Sequence, residues 1–393
     1  MPNCNPTPSG FGTRCNASAF GLALWLAVLP LLRLLMLLFL AGSFVPSHAA
    51  EPLTIDRSLM QAHGLVDVSY VAGRPTGVSY PEHLERDGEL LPRCVSDQTT
   101  SHPRLERSAW VWQTARLLAD PQVAAGFIDR AAAAGMSRLF VQVHADLSSF
   151  ASLFAMAKAH RITLYALSGD PESVLDPAAA LATVDQVIAY NATHTDKFAG
   201  IQFDIEPHAL PVFRQDPSGT LSRYVALIEL LHARVAGRLP LGLAIPFWFD
   251  QKTVNGTNLL TTLLGNADEL VLMSYRTSVD AIEKISASSL CLAQRSPTKV
   301  HLAVELAPIA DEQHFISNVS QIEPYLIGDA PLAELRATPA TGVPFLQRYT
   351  VVGSSLSFYP RQDEALAMMH VDLPFSNFNG WFINGLDKVW LHE

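Results

Sequence analysis

The stretch FAGIQFDIEPHAL, residues 198–210, ends an apolar run with two carboxylates, Asp204 and Glu206, and a proline at 207. Side chains of a strand alternate between its faces, so residues two apart share a face and stand about 6–7 Å apart along it. Two acids so placed perturb each other's ionisation, and a neutral carboxyl beside a charged one is how a site keeps a proton donor at neutral pH. The expected chemistry is general acid catalysis, with Glu206 neutral beside a charged Asp204. The competing reading is a loop cap or a surface ion pair. Pro207 favours the first, because it stops the strand and fixes the chain just past the acids.

Two further runs carry chemistry of the same kind. In ELVLMSYRT, residues 269–277, alternation puts Met273 and Tyr275 on one face, with Arg276 alongside. In KVHLAVEL, residues 299–306, Glu305 interrupts an apolar alternation just before a proline-containing loop. Glu305 is either a second catalytic acid or half of a buried ion pair, for instance with Arg276. Should these runs be the fourth and seventh strands of a barrel, Glu206 and Glu305 face each other across its mouth, an arrangement suited to a two-carboxylate glycosidase. Trp112, Trp248 and Trp381 at other strand ends are candidate platforms for the apolar faces of sugars; the alternative for each is a core position. Gln142, His144 and His208 stand near the same rim, as donors to hydroxyls or as partners of loop backbone.

The elements that must position these residues form a repeating pattern. Short apolar runs at 109–113, 137–144, 162–168, 198–206, 240–248, 269–275, 299–306 and 380–385 alternate with longer amphipathic stretches, the signature of successive βα units. DPQVAAGFIDRAAAAG has proline in its first turn and glycine past its end, and SRYVALIELLHARVAG also closes on glycine, as helices do. Eight strands, each followed by a helix, predict a (β/α)8 TIM barrel, an α/β fold whose catalytic groups gather at the C-terminal ends of the strands. Residues 51–107, irregular and scattered with Pro, Gly, Asp and Ser, read as an N-terminal extension. The barrel domain spans 108–393, with an insertion before strand eight at about 307–376, whose role is to shape a cleft or merely to append structure.

Composition narrows the function. Of 393 residues 49% are hydrophobic, enough to bury one core of barrel size, about 250 residues. Residues 1–50 contain AFGLALWLAVLPLLRLLMLLFLAGSFV and then PSHAA, read as a signal peptide cleaved near Ala49 or Ala50, in preference to a retained membrane tether. Either way the rest is expected to be exported, to a periplasm or the extracellular space. Without Arg14 and Arg33 of that leader, 25 basic side chains face 37 acidic ones, a formal charge of −12, which argues against nucleic acid or an anionic membrane surface as partner. Cys94 and Cys291 remain after the leader, as a disulfide or as two separate thiols. No CxxC or His-rich spacing points to a metal or other cofactor.

At residues 199–206, AGIQFDIE resembles the D-G-x-D-x-D-x-E signature of the chitinase-type TIM-barrel glycoside hydrolases, and MSY at 273–275 resembles that family's strand-six Met-x-Tyr. As architecture the resemblance covers roughly residues 108–390; as motif it covers about a dozen. It implies that Glu206 is the general acid, that Asp204 orients the substrate's N-acetyl group as internal nucleophile, and that Tyr275 hydrogen-bonds the same group. Ala199 and Gln202 stand where the family has acids. Gln202, a candidate for substrate binding, can hydrogen-bond Asp204 but cannot share its charge or proton. The rival scheme makes Glu206 the acid/base and Glu305 the nucleophile of a retaining hydrolase. The expectation is an exported glycoside hydrolase acting on a poly- or oligosaccharide; the alternative is a non-catalytic glycan-binding or envelope-assembly protein on a degenerate hydrolase barrel.

Overall fold

The computed structural model describes residues 105–318 and 345–391, together with short strand segments at 53–54, 67–71, 74–79, 326–327, 330–331 and 333–336. The apolar leader, Cys94 and most of the N-terminal extension lie outside the described residues. Eight strands close into one barrel: β1 Glu106–Val111, β2 Arg138–Gln142, β3 Thr163–Ser168, β4 Ile201–Phe203, β5 Leu241–Pro246, β6 Glu269–Met273, β7 Lys299–Glu305 and β8 Phe378–Asn384. Neighbours in sequence are neighbours in the barrel, β8 pairs with β1, and every pairing is parallel. This is a (β/α)8 barrel, as the eight apolar runs predict. The runs at β4 and β5 were expected to be longer: regular pairing stops at Phe203 and Pro246, and single-turn helices follow. Asp204 and Glu206 therefore lie on the chain that leaves the strand.

The helices follow the capping signals. The helix Pro121–Ala133 starts where the Asp120 side chain accepts from the Gln122 and Val123 amides, with proline in the first turn, a satisfied N-terminus. The helix Pro217–Val235 starts five residues earlier than the apolar pattern suggests, because Asp216 caps it through the Gly219 amide. After β7, residues 312–318 pair on either side with 333–336 and 345–351 in an antiparallel three-stranded sheet. A helix at Gln362–Met368 leads into β8. Another small antiparallel sheet joins 53–54, 67–71 and 74–79. Cys291, on the helix Val279–Ala293, is disulfide-bonded and so is not a separate thiol; its pairing with Cys94 lies outside the described residues. The chain's other cysteines, Cys4, Cys15 and Cys94, lie outside the described residues.

Inside the barrel the side chains stack in layers. The middle is apolar and aromatic: Trp110, Phe140, Leu167, Ala244, Val271, Ala303 and Phe382. Alternation from this layer carries charge to the floor below, at Arg138, Glu269 and His301, and to the mouth above. At the floor Arg138 is 3.0 Å from Glu106 and 2.5 Å from Glu269, takes Ser108 Oγ as a further acceptor, and lies over the Phe140, Tyr165 and Phe382 rings. Glu106, Glu269 and His301 have donor types and spacing that suit a metal ion. The Arg138 guanidinium supplies the positive charge between the two carboxylates, and His301 Nδ1 is left buried without a hydrogen-bond partner.

Candidate active site at the barrel mouth

The mouth is built from the inward positions at the ends of β1, β2, β4, β6, β7 and β8. On β4 the parity that points Gln202 inward continues to Asp204 and Glu206, and both are half-buried. Asp204 leans against the loop after β3: its amide donates to the Ser168 carbonyl, and a Cβ on Gly169 would come within 2.4 Å of the Asp204 carbonyl oxygen and 3.2 Å of the Trp112 ring. Only glycine fits there. Trp112, just past β1, is thereby placed beside the acids.

The surroundings of Asp204 favour its neutral form, where a charged carboxylate was expected. Burial first, and the charge of Glu206 second, raise its pKa from 3.8 to about 8, and its Oδ1 is out of solvent contact with no hydrogen-bond partner. A carboxyl taken from water without compensating donors stays neutral. Glu206 keeps 39% of its side-chain surface exposed and has His208 Nε2 at 3.6 Å from Oε1. His208 packs edge-on against Trp248 and Phe213; burial lowers its pKa, against the pull of Glu206, so the ring is neutral near pH 7.

Tyr275 belongs to the same site. Its pKa is pushed well above the usual phenol value, by burial first and then by the negative charges of Glu305, Asp204 and Glu206. It is therefore a protonated hydrogen-bonding group at any working pH. Glu305 is 5% exposed. Its Oε1 accepts from the Ala307 amide at 2.6 Å and its Oε2 from Asn384 Nδ2 at 2.7 Å, so both oxygens are committed. Burial still raises its pKa, with those two hydrogen bonds opposing. The expected ion pair with Arg276 is not how this carboxylate is held. Arg276 donates to the Tyr275 carbonyl and lies over the Phe247 ring. Gln142 is half-buried at the inward end of β2, and His144 is exposed two residues on.

Three of the residues expected to bind substrate sit elsewhere. Gln202 is wholly buried below the mouth; it accepts from Trp110 Nε1 and donates to Glu269, so its partners are in the barrel interior and at the floor, and no bond to Asp204 forms. Trp381 has the outward parity of β8, is fully buried against Phe378 and donates to the Val371 carbonyl; it packs the outside of the sheet. Trp248 is 4% exposed and serves as the wall behind His208, with Lys252 over its ring. Of the three tryptophans only Trp112 keeps a partly exposed ring near the acids. Asn384 was missed, although the alternation of β8 through Phe382 points it inward next to Glu305.

No family model and no curated protein sequence matches the chain. Among solved structures, a class V chitinase from Pseudomonas fluorescens Pf-5 aligns at 15% identity over 74% of this chain and 99% of its own, with a TM-score of 0.36. The spore cortex-lytic enzyme SleL of Bacillus cereus aligns at 9% identity over 73% of this chain and 67% of its own, with a TM-score of 0.37. Dispersin B aligns at 12% identity over 53% of this chain and 78% of its own, with a TM-score of 0.32.

Proposed function

We propose that the protein hydrolyses a glycosidic bond of a poly- or oligosaccharide at the C-terminal mouth of its barrel, with Glu206 protonating the leaving oxygen. The observation that carries this reading is the pair Asp204 and Glu206 on one inward face at the end of β4, with the Tyr275 hydroxyl in their field. A general acid must reach substrate, and Glu206 is the member of the pair open to solvent. Asp204 holds a proton at neutral pH beside it, so the site contains a proton source shielded from water.

The commitments of Glu305 favour substrate assistance over a strand-seven nucleophile. Glu305 is 5% exposed and a hydrogen bond holds each of its oxygens, which suits a carboxylate that braces the mouth better than one that attacks a sugar. In the assisted scheme an acetamido oxygen of the sugar attacks the anomeric carbon as the glycosidic bond breaks, the proton held by Asp204 passes to Glu206 and from it to the departing oxygen, and water later opens the cyclic intermediate with Glu206 taking a proton back. Asp204 and Tyr275 hold the acetamido group meanwhile. Export is part of the proposal: the apolar leader of the sequence supports it, as does a disulfide at Cys291, a bond that persists in oxidising compartments.

The test is a panel of bacterial and fungal polysaccharides assayed for new reducing ends, with Glu206→Gln alongside. Turnover abolished with binding nearly intact supports the proposal. Equal turnover by the variant refutes it, and binding of oligosaccharides with no reducing ends from either protein makes the chain a glycan-binding module.

A further inference from the structure

Pro207 sets His208 against Glu206. It opens the single-turn helix Pro207–Ala209, and the turn closes where the Ala209 amide donates to the Glu206 carbonyl at 3.0 Å. That closure brings residues 206 and 208 side by side, with His208 Nε2 3.6 Å from Glu206 Oε1. The imidazole is walled in by aromatic rings. Trp248 meets it edge-on at 5.5 Å and Phe213 at 6.5 Å. Trp248 is braced in turn by Phe249 at 4.9 Å and by Lys252 over its ring, and the Phe213 amide is tied to the Leu210 carbonyl.

The two ring nitrogens are unlike. Nδ1 is out of solvent contact and has no hydrogen-bond partner, while Nε2 faces the carboxylate. A neutral imidazole has one N–H, and its place follows from what each alternative leaves behind. With the proton on Nδ1, a buried donor goes unpaired and a bare lone pair confronts a carboxylate oxygen. With the proton on Nε2, donor faces acceptor, and only a bare nitrogen is left among the rings. The second arrangement is the more stable on both counts. A sealed Nδ1 also keeps the ring from passing a proton through to solvent, so His208 works at one nitrogen.

Glu206 contrasts here with Glu305. Both oxygens of Glu305 are bonded, whereas at Glu206 the imidazole addresses Oε1. We propose that His208 is the positioning residue for Glu206: its Nε2–H holds Oε1 and leaves Oε2 to exchange a proton with substrate and water. A turn of the carboxylate closes the 3.6 Å gap, since the ring is fixed and the acid is open to solvent. This is neither of the roles that the sequence suggests for His208, a donor to sugar hydroxyls or a partner of loop backbone. The inference deepens the proposed reaction and rests on it for its kinetic arm alone.

The experiment labels the thirteen histidines with 15N and identifies the His208 ring signals by their loss in His208→Phe. At pH 7 the ring is expected as the neutral tautomer protonated at Nε2, with Nδ1 bare. The Nδ1–H tautomer, or a ring still charged at that pH, overturns the proposal. In Glu206→Gln the ring is expected to titrate at lower pH than in wild type, because the charge that favours its protonated form is gone. An unmoved titration means that the two side chains do not meet, and overturns the proposal as well. In the kinetic arm His208→Phe keeps a ring in the pocket and lowers kcat about 10- to 100-fold with KM within about twofold, the effect of losing a hydrogen bond to a charged group. His208→Gln, whose Nε2 can reach the same oxygen, restores most of kcat. A rise in KM at unchanged kcat would make His208 a substrate-binding group, and equal kcat in the Phe and Gln variants would reduce it to packing; either result overturns the proposal. Failure of every carbohydrate to be cleaved counts against the proposed reaction, and the tautomer and the titration still decide the pairing.

Discussion

Replacing Asp204 by Asn should stabilise the protein, and increasingly so as pH rises above about 4. The carboxyl has a pKa of about 8 in the fold, against an ordinary value of 3.8. The folded state therefore binds its proton more tightly than the unfolded chain does. Its contribution to stability is fully present below pH 3.8 and is lost as pH rises toward 8, because the unfolded chain gains by ionising and the fold does not. Between 3.8 and pH 7 lie about 3 pKa units at about 1.4 kcal/mol each, an upper bound of ~4 kcal/mol. Part of the residue still meets solvent, which lowers the realised penalty to about 2–3 kcal/mol. Asn is nearly isosteric and never ionises, so it avoids this cost, while Oδ1 remains as unpartnered as before. Urea unfolding of both proteins at pH 5 and pH 8 measures the difference. The variant should gain little at pH 5 and at least about 1.5 kcal/mol at pH 8. A stability difference that is the same at both pH values, or a variant less stable at pH 8, would refute the assignment of the proton to Asp204.

Other expectations concern the floor and the loop behind the acids. Arg138→Met should cost about 3–5 kcal/mol, since it leaves Glu106 and Glu269 without their shared cation; adding Glu106→Gln and Glu269→Gln should recover much of that loss in the same urea titration. Glu106 is raised by burial but brought down on balance to about 2 by the His301 hydrogen bond and the charges of Arg138, His301 and Lys299. Its stabilising contribution is therefore complete above about pH 4.5 and disappears as pH falls toward 2, and Glu106→Gln should flatten acid unfolding across that window. Gly169→Ala puts a methyl 2.4 Å from the Asp204 carbonyl oxygen. Overpacking of that kind costs about 1–3 kcal/mol, and displacement of Asp204 should show as a pH–rate profile altered relative to wild type.

The barrel was legible because its signal is redundant. Eight apolar runs separated by helices specify strand number and direction whether or not any one boundary is right, and the errors at β4 and β5 fall where single-turn helices take over the strand's direction. Inward parity was legible because alternation from Gln202, inside β4, carries on to Asp204 and Glu206 even where the strand itself has ended. What alternation cannot give is height. Gln202 shares the inward face of Asp204, yet it sits one layer lower, where Trp110 and Glu269 engage it. Trp381 fails differently, since a tryptophan at a strand end reads the same whether it faces the mouth or the helices, and here it has the outward parity.

The floor explains why residue 202 is an amide and not an acid. An acid at 202 would add a third carboxylate to the interior beside Glu269, with Arg138 already shared between Glu269 and Glu106. The amide instead accepts from Trp110 and donates to Glu269, so it links the floor to the aromatic layer while adding no charge. Asp204 is then left with no group beneath it to share its proton, and this is consistent with the buried, unpartnered Oδ1 and the high pKa. The proton at the mouth and the amide below it belong to one charge pattern: charge confined to the two ends of the barrel, with a neutral layer between them.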